Sequence, residues 1–192
     1  MNGEQKRIAI FIDGSNFYNG SRMVIKQTAI NFQTFGQLLL NYVKNKFPEL
    51  FPEASFHIYY YNSLMDPRYD SQGYERQNSF LQRLHKMPQL TLKMKRLLYE
   101  KVEGAENYYA EEKGVDLQIS MDMITMAAKN ECDLIILVSG NGDFAETVEY
   151  VKSLGKQVFV AFFQKILSSA LRDEADHAII LTKKLLKKAL LP

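Results

Sequence analysis

Two stretches decide the reading: Ile8-Ala9-Ile10-Phe11-Ile12-Asp13-Gly14-Ser15-Asn16 and Leu134-Ile135-Ile136-Leu137-Val138-Ser139-Gly140-Asn141-Gly142-Asp143-Phe144. Each is an unbroken apolar run that ends in small and acidic residues. Runs this short, this rich in β-branched residues and stopped this abruptly read as strands buried on both faces, as in parallel sheets. In open α/β sheets, ligands bind beyond the carboxyl ends of the strands. Both stretches therefore deliver carboxylates to the edge where a site is expected.

Working outward, strand and helix patterns alternate along the chain. Strand one covers residues 7–12. A helix over 31–46 carries Phe32, Phe35, Leu39, Tyr42 and Val43 at three-to-four spacing. Residues 55–61 and 90–98 read as strands, separated by a helix bearing Phe80, Leu81, Leu84 and Met87. Residues 99–112 read as an acidic loop, marked by Glu103, Gly104, Glu106, Glu111 and Glu112. From Val115 a helix follows with Leu117, Met121, Ile124 and Ala128 assigned to its buried face. After the strand at 134–138 come a helix with Phe144, Thr147, Val148, Val151 and Leu154, stopped at Gly155, and strands at 157–163 and 177–181 around a short helix at 168–175. This order predicts an α/β fold with a mainly parallel central sheet between helical layers. Residues 1–182 form the expected domain, and 183–192 an amphipathic helix packed on it or extending it.

The composition bounds the function classes. The chain has 192 residues, 46% hydrophobic and 24% charged, which is ordinary for one globular domain with a full core. A net charge of +2 is too small to announce nucleic-acid binding, so only local clustering can. The single cysteine, Cys132, excludes an internal disulfide framework and reads as a small apolar residue beside a strand. No apolar run approaches the ~20 residues of a membrane span. The N-terminus leads into a strand without a signal-peptide pattern, so a cytoplasmic location and no membrane contact are expected. There is no P-loop signature and no Gly-x-Ser-x-Gly elbow, and the glycine pair Gly140 and Gly142 lacks the third glycine of a dinucleotide fingerprint. His57, His85 and His177 lack metal-ligand spacing, so zinc is not expected.

The acids point to a hard cation. Mg²⁺ and Mn²⁺ take oxygen ligands, and converging carboxylates repel unless a cation offsets their charge. Asp13 and Asp143 could each serve simply as a helix cap. Asp116 and Asp122 stand six residues apart, about 120° around a helix. They cannot both face one ion from mid-helix, and Asp116 reaches inward only from the cap. Asp122 lies on an otherwise apolar helix, where an unpaired carboxylate is costly.

Four blocks now carry a resemblance: 11–18 (Phe-Ile-Asp-Gly-Ser-Asn-Phe-Tyr), 113–116 (Lys-Gly-Val-Asp) with Asp122, 137–144 (Leu-Val-Ser-Gly-Asn-Gly-Asp-Phe) and 171–176 (Leu-Arg-Asp-Glu-Ala-Asp). In this order they resemble the NYN family, specifically its LabA-like bacterial branch, within the PIN-like nuclease superfamily. The match runs over residues 7–182 and is poorest over 62–110. The resemblance implies a PIN-like three-layer α/β/α fold and an Mg²⁺- or Mn²⁺-dependent ribonuclease. In such a site Asp13, Asp122 and Asp143, with Asp116 nearby, hold the metal, and Asn16 orients the water or a neighbouring carboxylate. The family's third block usually carries Asp where this chain has Asn141, which can coordinate through its carbonyl oxygen but removes one negative charge. Ser15 and Ser139, beside these acids, are expected to contact substrate.

Arg83, Lys86, Lys93, Lys95, Arg96 and Lys101 concentrate positive charge beside Tyr59, Tyr60, Tyr61, Tyr74 and Tyr99. Cations next to stacking rings suit single-stranded RNA, and Lys93, Lys95 and Arg96 are the expected substrate contacts. The alternative is a solvated basic face over core tyrosines. The lysine-rich tail reads as a packing helix or as the contact of a homodimer. Two functions follow. One is a metal-dependent endoribonuclease acting on single-stranded RNA. The other, favoured by Asn141, is a catalytically weak or inactive NYN module that binds RNA or a protein partner in regulation.

Overall fold

A computed structural model describes residues 5–25, 29–101, 108–166 and 168–191. Its described strands are β1 (Lys6–Asp13), β2 (Ala54–Leu64), β3 (Leu90–Arg96), β4 (Leu98–Lys101), β5 (Tyr108–Glu111), β6 (Leu134–Val138), β7 (Gln157–Phe162) and β8 (His177–Ile180). Six of them form one sheet in the order β3-β2-β1-β6-β7-β8, with every neighbouring pair parallel. From β1 the chain moves outward through β2 to β3, then returns to β6 and moves outward the other way. The reversal falls between β1 and β6, whose register pairs Ile12 with Val138. Such a switch point opens a crevice where a ligand can enter.

The alternation along β1 shows why the sheet needs two covers. Ile8, Ile10 and Ile12 enter one core, and Ala9 and Phe11 the other. On the first face lie α1 (Gly14–Ile25), α2 (Phe32–Lys46), α3 (Ser71–His85) and, at the far end of the chain, α7 (Lys183–Lys187). They supply Phe17, Phe35, Leu39, Leu84 and Leu186. On the second lie α4 (Val115–Ala128), α5 (Ala145–Ser153) and α6 (Ser169–Glu174), supplying Ile119, Met123, Val148, Val151 and Leu171. The result is the expected three-layer α/β/α fold with a parallel centre. Asn31 caps α2 by accepting the Thr34 N–H at 3.0 Å, and Asp70 caps α3 by accepting that of Gly73 at 2.7 Å.

Four details depart from the sequence reading. A helix, α1, follows β1 directly; its buried face is only Gly14, Phe17, Gly20 and Ser21, too small and too polar to leave an apolar stripe. Helix α4 buries Val115, Ile119, Met123 and Ala127 instead of the expected face, leaving Leu117 66% and Met121 55% exposed. It is apolar nearly all round, so periodicity could not choose its inner side. The 99–112 segment is an antiparallel β4–β5 hairpin where described, while Glu103, Gly104 and Glu106 lie outside the described residues. Tyr60 and Tyr61 are core residues on opposite faces, and Tyr59 packs against Phe11. Tyr60 and Tyr61 are thereby closed to RNA, while Tyr59 is half-buried.

The C-terminal segment packs on its own chain. Leu186 and Ala189 are buried, and backbone bonds from Asn31 to Ala189 (2.7 Å) and from Leu191 to Ala29 (2.9 Å) stitch it to the approach to α2. No helix among the described residues is long and apolar enough to cross a membrane. The observed face of α4 sets a stability test by urea denaturation. Met123→Ala is expected to cost ~2–5 kcal/mol, and Met121→Ala less than ~0.5 kcal/mol.

Candidate metal centre

Asp13 ends β1 at the switch point and is only 4% exposed. Its Oδ1 accepts the Asn16 N–H at 3.0 Å, the cap bond that starts α1. Its Oδ2 accepts the Ser139 hydroxyl at 3.0 Å, from the end of β6. Ser139 Oγ in turn accepts the Asn141 N–H at 3.1 Å, and Asn16 Oδ1 accepts the Gly140 N–H at 3.1 Å. The two strand ends are thus laced together around one carboxylate. Gly14 permits this geometry, because a Cβ there would lie 2.5 Å from the Tyr61 carbonyl oxygen.

Helix α4 brings the next acid. Gly114 holds φ +77°, a left-handed conformation that suits glycine, and turns the chain into α4 at the same edge. Asp116 in the first turn faces Asn141, whose amide Nδ2–H donates to Asp116 Oδ2 at 3.1 Å. Asn141 Oδ1 accepts the Asp143 N–H at 3.1 Å and so caps the single 3₁₀ turn Gly142–Phe144. Glu112 accepts the Ser15 hydroxyl at 3.0 Å. Asp13, Ser15, Asn16, Glu112, Asp116 and Asn141 all line one cleft of about 560 Å³. Glu112 belongs to the cluster although the sequence reading left it in the acidic loop. Its place four residues before Asp116, just ahead of the Gly114 turn, was the available signal.

The cleft is electrostatically unbalanced. Burial pushes the Asp13 carboxyl up to about 6, and the nearby Asp116 and Glu112 carboxylates add to the rise against the bonds from Asn16 and Ser139. Asp116 is also raised, first by burial and then by Glu112 and Asp143, while the Asn141 amide opposes the rise. No Lys, Arg or His is among the described residues lining the cleft.

Other expected site residues are placed elsewhere. Strand-to-strand crossovers run α4 back from the edge, so Asp122 sits ~9 Å along the helix axis from Asp116. There its Oδ2 accepts the Tyr61 hydroxyl at 2.8 Å and pairs with Lys93 at 3.5 Å. Asp122 therefore does not join Asp13, and Lys93 is occupied as its partner. Burial and Asp122 together raise the Tyr61 phenol well above its ordinary range. Asp143 is exposed at the 3₁₀ turn, outside the lining of the cleft but near enough to Asp116 to raise it. Lys95 and Arg96 lie exposed at the end of β3, and Arg96 lines a different cleft.

The donor set fits a hard cation: carboxylates and an amide oxygen, with no basic side chain to neutralise them. Among the described residues no three His, Cys, Asp or Glu side chains converge closely enough to hold an ion alone. Water and a substrate phosphate would complete the shell, as is usual for Mg²⁺.

A six-stranded parallel sheet between helical layers, with acids at its switch point, is the arrangement that the resemblance to PIN-like domains implies. The pattern of the NYN domain family matches residues 7–182, and the chain belongs to that family. It is 28% identical over 173 residues to the low amplitude and bright protein LabA of Synechococcus elongatus, covering 90% of this chain and 82% of that one. A crystal structure of a protein of unknown function from Vibrio parahaemolyticus superposes with a TM-score of 0.65 at 23% identity, over 100% of this chain and 99% of that one. The family is nuclease-like in kind, which supports a ribonuclease-type function.

The raised Asp13 carboxyl sets a pH dependence. A group that holds its proton more tightly when folded costs stability as it ionises, so the loss develops between pH ~4 and ~6 and is complete above. A rise from 3.8 to about 6 corresponds to about 3 kcal/mol. In chelator-treated protein, urea denaturation should show wild type losing about that much relative to Asp13→Asn between pH 4 and 7. A difference that stays flat across this range contradicts the assignment.

Proposed function

We propose that this protein is a metal-dependent endoribonuclease that cuts single-stranded RNA with Mg²⁺ or Mn²⁺ at the β1–β6 switch point. The observation that carries the reading is Asp13, a nearly buried carboxylate at the floor of a cleft shared with further acids, with no basic residue among the described residues that line it. When bound, the cation supplies charge neutralisation at the scissile phosphate and lowers the pKa of a water.

The chain's own residues do the rest. Asp13 is held rigid by Asn16 and Ser139, and presents its remaining lone pairs to the cleft. Asp116 in the first turn of α4 and Glu112 just before that helix line the same cleft, and they would share the cation with Asp13 only through water and a substrate phosphate that complete the shell. Asp143 adds charge at the rim. Asn16 and Ser139 orient Asp13, Asn16 from the cleft lining and Ser139 from a buried position behind it, where it does not reach a substrate, while Ser15 positions Glu112. RNA is the partner this reading requires, and a cytoplasmic location agrees with it.

A second reading rests on one bond. Asn141 donates to Asp116 and stabilises that carboxylate without any cation, so the site asks less of a metal than an all-acid site would. On this reading the protein binds RNA or a protein partner and cuts weakly or not at all.

Cleavage of end-labelled single-stranded RNA in Mn²⁺ or Mg²⁺ separates the two. The first reading expects wild type to cut and Asp13→Asn to lose more than the ~10–100-fold typical of outer partners. Asn141→Asp should then bind the metal more tightly and raise cutting at low metal. If wild type cuts no better than Asp13→Asn, the enzyme reading fails; if only Asn141→Asp cuts, the second reading stands.

A further inference from the structure

Next along the same edge of the sheet, beyond β2 and β3, lies a second cleft of about 620 Å³ with a different chemistry. That size is ordinary for a small-ligand site. Its wall is aromatic: the rings of Tyr69 and Tyr99 stack 4.1 Å apart at 13°, and Tyr108, which is outside the lining, packs edge-on against Tyr69 at 4.7 Å between ring centroids. The Asp66 N–H donates to the Tyr99 phenolic oxygen at 3.1 Å, which fixes the ring and leaves its own proton free to donate. Tyr69 nonetheless remains 41% exposed.

The polar groups are equally specific. Asp66 is the cleft's one acid among the described lining residues, and it is bound by Arg68, whose guanidinium also lies 5.7 Å from the Tyr69 ring centroid. Arg96 enters the same cleft from the end of β3 and forms no ion pair among the described residues. Asn78, exposed on α3, presents a side-chain amide at the wall. A π-face, an unspent guanidinium and an amide are what an unstacked nucleotide engages, through its base face, its phosphate and its base edge.

The hairpin joins the two clefts. Tyr99 and Tyr108 stand on β4 and β5, and Glu112, directly after β5, reaches the acidic cleft. Lys113 braces the hairpin by pairing with Glu111 at 2.8 Å and Glu100 at 3.6 Å.

We propose that this aromatic cleft is a nucleobase subsite, which holds a base of the single-stranded RNA whose phosphodiester lies at Asp13. It rests on the ribonuclease reading, and it assigns the strand's direction of approach: the RNA runs along the sheet edge from β3 toward β6. Tyr69 supplies the stacking face, Arg96 a phosphate contact and Asn78 a base-edge contact.

The test is fluorescence anisotropy of fluorescein-labelled single-stranded hexa-adenylate and hexa-uridylate on the full chain in EDTA, paired with cleavage of the same strands in Mn²⁺. Tyr69→Ala should weaken binding ~5- to 100-fold, the range expected for one lost stack. Arg96→Gln should lower the slope of log affinity against log salt by ~0.7, as for one phosphate on a single strand. Asn78→Ala should change the ratio between the two sequences. All three side chains are partly or fully exposed, and circular dichroism checks that the variants stay folded. If wild type binds and cuts while Tyr69→Ala and Arg96→Gln bind as tightly as wild type, the subsite is overturned and the ribonuclease reading stands. If wild type neither binds nor cuts either strand, both fall together.

Discussion

One carboxylate, nearly buried at the end of the central strand and open only to the acidic cleft, organises this molecule. Asp13 cannot be ionised there at no cost, since burial and two neighbouring acids all favour its proton. The fold tolerates it by lacing the ends of β1 and β6 around it through Asn16, Ser139 and Asn141. Those bonds satisfy the oxygens but bring no positive charge. The unmet demand for a counter-charge is the ground for proposing the crevice as a cation site and not merely as a capped helix start. Asp13 does both jobs at once, because the cap bond occupies Oδ1 from the helix side only.

Topology then selects which other acids can share that demand. An α4 that begins at the carboxyl edge and runs back across the sheet leaves only its first turn near the switch point. Asp116 is there, and Glu112 arrives on the segment just before it. Asp122 is carried away and is satisfied by Tyr61 and Lys93, a local solution to the burial of a charge on an apolar helix. The same edge, followed outward to β3, changes from acidic to aromatic and cationic. That charge pattern is what the proposed ribonuclease and base-subsite readings use, one end for the phosphodiester and the other for a base and a phosphate.

Much of this was legible in the sequence, and the limits have physical causes. The strands at 134–138 and 157–163 and the short helix before 177 were readable because continuous apolar runs and flanking glycines admit few alternatives. Asp13 and Asp143 could be put at the correct edge from the parallel-sheet rule alone. The inner face of α4 was not readable, since Leu117 and Met121 are as apolar as Ile119 and Met123. Helix α1 left no stripe to read. The role of Glu112 and the separate fate of Asp122 depend on how far along one helix each acid lies from the edge, a quantity that periodicity does not contain. Tyr60 and Tyr61 misled for a related reason, because a strand between two cores buries neighbouring rings on opposite sides.

The claim that most of the structure rests on is that Asp13, and not Asp122, holds the cation. Mn²⁺ binding followed by electron paramagnetic resonance at neutral pH tests it without any RNA. Wild type and Asp122→Asn should bind Mn²⁺ with affinities within about tenfold of each other, and Asp13→Asn should bind at least ~10-fold more weakly than either. Loss of Mn²⁺ binding in Asp122→Asn, with wild-type binding retained by Asp13→Asn, would contradict the account.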